Sequence, residues 1–145
     1  MDLLARRPEL SSHPVDIGQR SEAAILAALV GRGYHVLVPF GVNHRYDFVL
    51  DVDGEFVRAQ CKTGRLRKGS IVFRTLSTRS NTRTALRRGY LGEADVFLVY
   101  CPDVGGVYVV PVESAPGAVM HLRVDPTANH QGLKINWARD FELPA

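Results

Sequence analysis

Apolar positions along the first third of the chain recur at helical spacing and then switch to every second residue. Ile25, Leu26, Ala28, Leu29 and Val30 make one apolar stripe, which predicts an amphipathic helix. Asp16 and Gln19 have capping-box spacing, and Gly31 and Gly33 supply a stop, so the predicted helix runs from Asp16 to about Arg32. Alternation then predicts strands over His35–Pro39, Tyr46–Val52, Glu55–Lys62, Ser70–Thr75, Ala94–Tyr100 and Gly106–Val112. Asp53-Gly54 between the second and third is a strong signal for a tight hairpin. Thr75–Gly92 reads as a long polar, basic loop. After Glu113 the pattern weakens to a strand over Val119–Val124 and a short closing element over Trp137–Leu143. Met1–Val15, with Pro8 and Pro14, reads as an arm, leaving residues 16–145 as a single domain. A helix followed by strands predicts an α/β fold with a sheet of mixed direction.

The hairpin sets up a convergence of polar groups. With a two-residue turn at Asp53-Gly54, Val52 faces Glu55 and, counting back, Asp47 faces Gln60. Facing residues project from the same side of a sheet, and Lys62, two residues past Gln60, shares that side. Phe48, Leu50, Val57, Ala59 and Cys61 form the opposite, apolar side. One face is thus predicted to meet the core and the other to present Asp47, Gln60 and Lys62. Glu22 lies within the helix's apolar stripe, three, four and seven residues before Ile25, Leu26 and Leu29. A carboxylate there is costly unless paired or bound to a cation.

The charge distribution changes the picture further. Net charge is +3, yet Phe56–Gly92 carries ten Lys and Arg with no Asp or Glu, while the remainder has eight basic and fifteen acidic residues. A domain polarised in this way orients in the field of a polyanion. Arg45, Arg65, Arg67, Lys68, Arg79, Arg83, Arg87 and Arg88 are the candidate phosphate contacts. The chain's 145 residues support one core. Two cysteines without metal-ligand spacing favour a reducing cytoplasm, and no apolar run has the length of a membrane span.

Asp47 and Glu22, the Gln60 amide oxygen and the Cys61 carbonyl make an oxygen donor set suited to Mg²⁺, with Mn²⁺ as a substitute. Lys62 beside them suits charge stabilisation or positioning of a water. A plainer reading stays open: Asp47 pairs with Lys62 or Arg45, and Glu22 is a first-turn acid favoured by the helix dipole.

Glu22, Tyr46-Asp47 and Gln60-Cys61-Lys62 resemble the motif of the PD-(D/E)XK nuclease superfamily. Arg45-Tyr46-Asp47-Phe48, Gln60-Cys61-Lys62-Thr63-Gly64-Arg65 and Val99-Tyr100-Cys101-Pro102 are most similar to its branch of group I intron homing endonucleases, a variant with Gln two residues before the Lys. The resemblance implies a restriction-endonuclease-like core, a mixed β-sheet flanked by helices, and Mg²⁺-dependent hydrolysis of DNA. It makes Asp47 the central metal ligand, Lys62 the catalytic lysine and Glu22 the helix carboxylate, with Gln60 at the usual Asp/Glu position. So small a domain needs a second copy to cut both strands, which predicts a homodimer or tetramer. Two further readings accompany this one: a DNA-binding module of the same fold without catalysis, and an enzyme resembling a Holliday-junction resolvase.

Overall fold

The computed structural model describes residues 3–80, 85–126 and 134–145. Helix α1 spans Pro14–Gly31. It starts two residues before the predicted Asp16 because His13 is the N-cap: its Nδ1 accepts from the Val15 N–H at 3.2 Å, and Pro14 fills the first turn. Asp16 therefore lies inside the helix. Ser21, Ile25 and Leu29 are its buried residues.

Strands β1 (His35–Leu37), β2 (Phe48–Val52), β3 (Glu55–Thr63), β8 (Val96–Cys101) and β9 (Gly106–Pro111) form one sheet in the order β1-β2-β3-β8-β9. Only the β3–β8 pairing is parallel, so the sheet is mixed. Val52 faces Glu55 and Phe48 faces Ala59. Asp53 and Gly54 take φ of 53° and 88°, the left-handed pair that a type I′ turn demands.

The parallel pairing requires a crossover, and the crossover carries two hairpins. Strands β4 (Arg65–Arg67) and β5 (Ser70–Arg74) form a hairpin, and β10 (Val119–Arg123) adds to it as a three-stranded sheet ordered β10-β5-β4. The turn is Lys68-Gly69, again with two positive φ values, 49° and 80°. Strands β6 (Ser77–Ser80) and β7 (Ala85–Arg88) pair antiparallel, so a second hairpin stands in the stretch read from sequence as a loop. Its polar sequence lacks the apolar alternation that marks a half-buried strand.

Two cores lie on opposite faces of the main sheet. On one face Phe48, Leu50, Ala59 and Leu98 pack with Ile25 and Leu29 of α1. On the other, Phe97, Val99, Cys101 and Val110 pack with Ile71, Phe73, Met120 and Leu122 of the smaller sheet. Among the described residues α1 is the one α-helix, and the small sheet takes the place of a helical layer on the second face. The polar side of the hairpin is covered only at its open end, where Tyr90 and Phe97 lie against Lys62; toward the turn Phe56 is exposed.

Candidate active site

Helix α1 is tied to β3 by the Ser21 and Thr63 hydroxyls, 2.6 Å apart. That tie places Glu22, the next residue of the helix, beside the end of β3 that carries Gln60, Cys61 and Lys62. Asp47 precedes the first residue of β2. Its N–H still donates to the Ala59 carbonyl at 2.8 Å, and its Oδ2 accepts from the Cys61 N–H at 2.8 Å. Burial raises the Glu22 pKa, and the Asp47 carboxylate raises it further. Burial also raises that of Asp47, against the Cys61 N–H and the Lys62 ammonium, which lower it. The Cys61 thiol is pushed up by burial first and then by both carboxylates. The fold has thus brought Glu22, Asp47, Gln60, Cys61 and Lys62 into one electrostatic neighbourhood.

Gln60 Oε1 is buried with no hydrogen-bond partner, a state that costs about 1–3 kcal/mol if nothing fills it. The Cys61 carbonyl takes a long contact from Gln60 Nε2 at 3.5 Å. An orphaned amide oxygen beside two carboxylates that burial holds above their usual range is a donor set that fits a hard divalent cation. Among the described residues no group of three His, Cys, Asp or Glu side chains makes a metal cluster.

Lys62 is held from the second face. Its Nζ donates to the Tyr90 hydroxyl at 3.3 Å and lies 4.6 Å from the centre of the Tyr90 ring and 5.9 Å from that of Phe97. Burial lowers its pKa to about 8; Asp47 opposes the shift, and Arg45 and Arg74 assist it. Tyr90 is buried and grips the lysine. No local pattern announces this, because the two residues are 28 apart in the chain.

Arg45 is placed differently from a phosphate contact. It pairs with Glu93, donates to Ser77 Oγ at 2.8 Å and to the Gly89 carbonyl at 2.6 Å, and stacks 4.0 Å over the Tyr90 ring. These bonds bracket both feet of the β6–β7 hairpin. Arg58 is likewise committed, to both oxygens of Asp95. Arg67 and Lys68 are exposed at the β4–β5 turn and Arg65 is half-buried. Arg83 lies outside the described residues, as do the side chains of Arg79, Arg87 and Arg88 on β6 and β7.

A family model described as PD-(D/E)XK endonuclease matches residues 12–144. The chain belongs to the PD-(D/E)XK endonuclease family. It is a nuclease, from a family that generally uses divalent metals and acts on DNA. A solved structure of a bacterial homing endonuclease, I-Ssp6803I, superposes with a TM-score of 0.73 at 26% identity, covering 91% of this chain and 89% of that one. The mixed sheet and restriction-endonuclease-like fold are shared with that structure. A search of curated proteins returned no match. Among the described residues no helix of this PD-(D/E)XK nuclease is long and apolar enough to cross a membrane.

Proposed function

We propose that the chain is a Mg²⁺-dependent endodeoxyribonuclease whose site is Glu22, Asp47, Gln60, the Cys61 carbonyl and Lys62. The observation that carries this reading is the buried, partnerless Gln60 Oε1 beside two carboxylates of raised pKa. Asp47, Gln60 and the Cys61 carbonyl would hold the ion, with Glu22 completing the set from the helix. Bound there, Mg²⁺ supplies Lewis-acid activation of water and offsets charge developing on the phosphate.

The chain's own groups do the remaining work. The Cys61 N–H fixes the Asp47 carboxylate by binding its Oδ2. Tyr90 fixes the Lys62 ammonium, which remains mostly protonated at neutral pH with its pKa at about 8. Lys62 therefore serves as a positive hydrogen-bond donor to the scissile phosphate and the attacking water. The basic β4–β5 turn and β6–β7 hairpin would follow the DNA backbone. One such domain has one site, so cutting both strands calls for a homodimer or tetramer. The two cysteines are free, which suits a reducing cytoplasm.

Nicking of supercoiled plasmid in Mg²⁺, Mn²⁺ and EDTA tests the reading. Wild type is expected to cut with either metal and to stop in EDTA. Asp47→Ala and Lys62→Ala are each expected to lose at least ~100-fold in rate while keeping the wild-type circular dichroism. Variants that both cut at the wild-type rate would remove these residues from the site. DNA binding without cutting in either metal would leave the inactive binding module as the reading.

A further inference from the structure

The three-stranded sheet has a core face and an outer face, with Ser70 the one buried residue on the outer side. Leu66, Ile71, Phe73, Met120 and Leu122 point into the core. The facing pairs Arg65↔Val72, Arg67↔Ser70 and Arg74↔Val119 define the other face, because facing residues share a side and a step of two preserves it. That outer face carries Arg65, Arg67 and Arg74, with His121 and Arg123 on β10. None of the three strands contains an Asp or Glu.

Arg123 donates to the carbonyls of Lys68, Asp125 and Pro126, and Arg67 donates through Nη1 alone to the Leu66 carbonyl at 2.9 Å. Arg65, Arg67 and Arg74 have no acidic partner among the described residues, where the ion pairs are Arg45–Glu93 and Arg58–Asp95. Like charges gathered on one small sheet repel each other, and ordinary solvated surfaces intersperse both signs. Three unneutralised guanidiniums on one face therefore mark a site for an external polyanion.

A groove of about 710 Å³ runs between this face and the start of α1. Thr63, Arg65, Arg67 and Arg74 line one wall and Ile17 and Gly18 the other. A Cβ at Gly18 would meet nothing within 4 Å, so packing inside the protein does not require a glycine there. Glycine is disfavoured in a helix interior, and its presence keeps the wall low where a bulky polymer would pass. The groove adjoins the candidate site: Thr63 follows Lys62 and meets Ser21, and the charge of Arg74 acts on Lys62.

We propose that this groove seats the sugar–phosphate backbone of the DNA strand next to the scissile phosphate, with Arg65, Arg67 and Arg74 on its phosphates and Gly18 giving clearance. The identity of the polyanion as DNA rests on the nuclease reading; the groove itself rests on the sheet face. The test is fluorescence anisotropy of the full chain with a labelled duplex in EDTA, where no cutting occurs, across a KCl series. Neutralising all three arginines (Arg65→Gln, Arg67→Gln, Arg74→Gln) is expected to reduce the slope of log affinity against log salt by about 2–3, at ~0.9 per phosphate contact.

Gly18→Leu adds no charge and favours the helix. It is expected to keep or raise the thermal midpoint while weakening DNA binding about tenfold. A wild-type slope in the triple variant, or wild-type affinity in Gly18→Leu, overturns the proposal. Plasmid nicking separates the two readings. A wild type that cuts, with a triple variant that binds at the wild-type slope, removes the groove and keeps the nuclease. A wild type that binds without cutting, with variants that lose binding as expected, keeps the groove and removes catalysis. A chain that binds an acidic protein but no duplex overturns the DNA groove.

Discussion

Asp47 shows how a single side chain connects stability with chemistry. Its carboxylate accepts the Cys61 N–H, yet burial holds its pKa above the usual carboxylate value. The sign follows directly. A raised folded pKa means that the folded state binds more protons than the unfolded one through the carboxylate range, so stability falls as pH rises through it. Asp47→Asn keeps an acceptor for the Cys61 N–H and removes the buried charge. In EDTA at pH 7 the variant is expected to melt higher than wild type, with about 2–4 °C for each kcal/mol relieved. That advantage shrinks as acid protonates Asp47, and the variant is expected not to cut DNA. Scanning calorimetry of both chains between pH 4 and about 7 checks this; a lower midpoint for Asp47→Asn at neutral pH would refute it. Lys62 gives the opposite limb. With its pKa lowered to about 8, cutting that depends on the ammonium declines as pH climbs through about 8. Arg stays charged throughout that range, so the residual activity of Lys62→Arg is expected to lack the alkaline fall. An identical fall in the variant would assign the limb to another group.

At the scale of elements, the clamp formed by Arg45 joins the basic hairpin to the lysine seat. Its partners are Glu93, Ser77, the Gly89 carbonyl and the Tyr90 ring, and Tyr90 in turn holds Lys62. Arg45→Met is therefore expected to lower turnover at saturating DNA by roughly tenfold or more, as displaced catalytic groups do. It leaves the salt slope of DNA binding unchanged, whereas a phosphate contact would lower the slope by ~0.9. Gly64 marks another tight junction, where β3 passes into β4. A Cβ there would sit 2.6 Å from Ile71 Cγ2 and 3.2 Å from Val99 Cγ1. Gly64→Ala is expected to destabilise by about 1–3 kcal/mol, measured as a lower urea midpoint, and an unchanged midpoint would show that the core yields. Much at this scale was legible in the sequence. Asp53-Gly54 fixed the hairpin register because the I′ turn leaves one choice, and the helix showed its stripe. The Lys68-Gly69 turn escaped because its first residue is not the usual Asn or Asp. The β6–β7 hairpin escaped because Ser77–Ser80 and Ala85–Arg88 carry no apolar alternation.

Across the whole molecule, what the sequence could not disclose is the second core. Alternation on β3 identifies two faces but not what covers each. The face predicted to present Gln60 and Lys62 is the side of the sheet that also carries Phe97, and Tyr90 lies against Lys62 there. This cover explains the depressed Lys62 pKa, which needs desolvation and which a surface lysine would lack. The placement of Glu22 followed from the stripe alone, because a helix packed through Ile25 and Leu29 carries its neighbours to the same sheet. For the complete enzyme, sedimentation is expected to give a dimer or tetramer, and a monomer that makes double-strand breaks in one encounter would refute the expectation. The parallel β3–β8 pair has a consequence for synthesis. Every residue proposed to hold the ion lies before position 63, while Tyr90, Phe97 and the strand that braces β3 are made later. A ribosome-bound chain that has not yet yielded β8 carries the proposed ligands but lacks the strand that β3 pairs with, so cutting is expected only once β8 has docked.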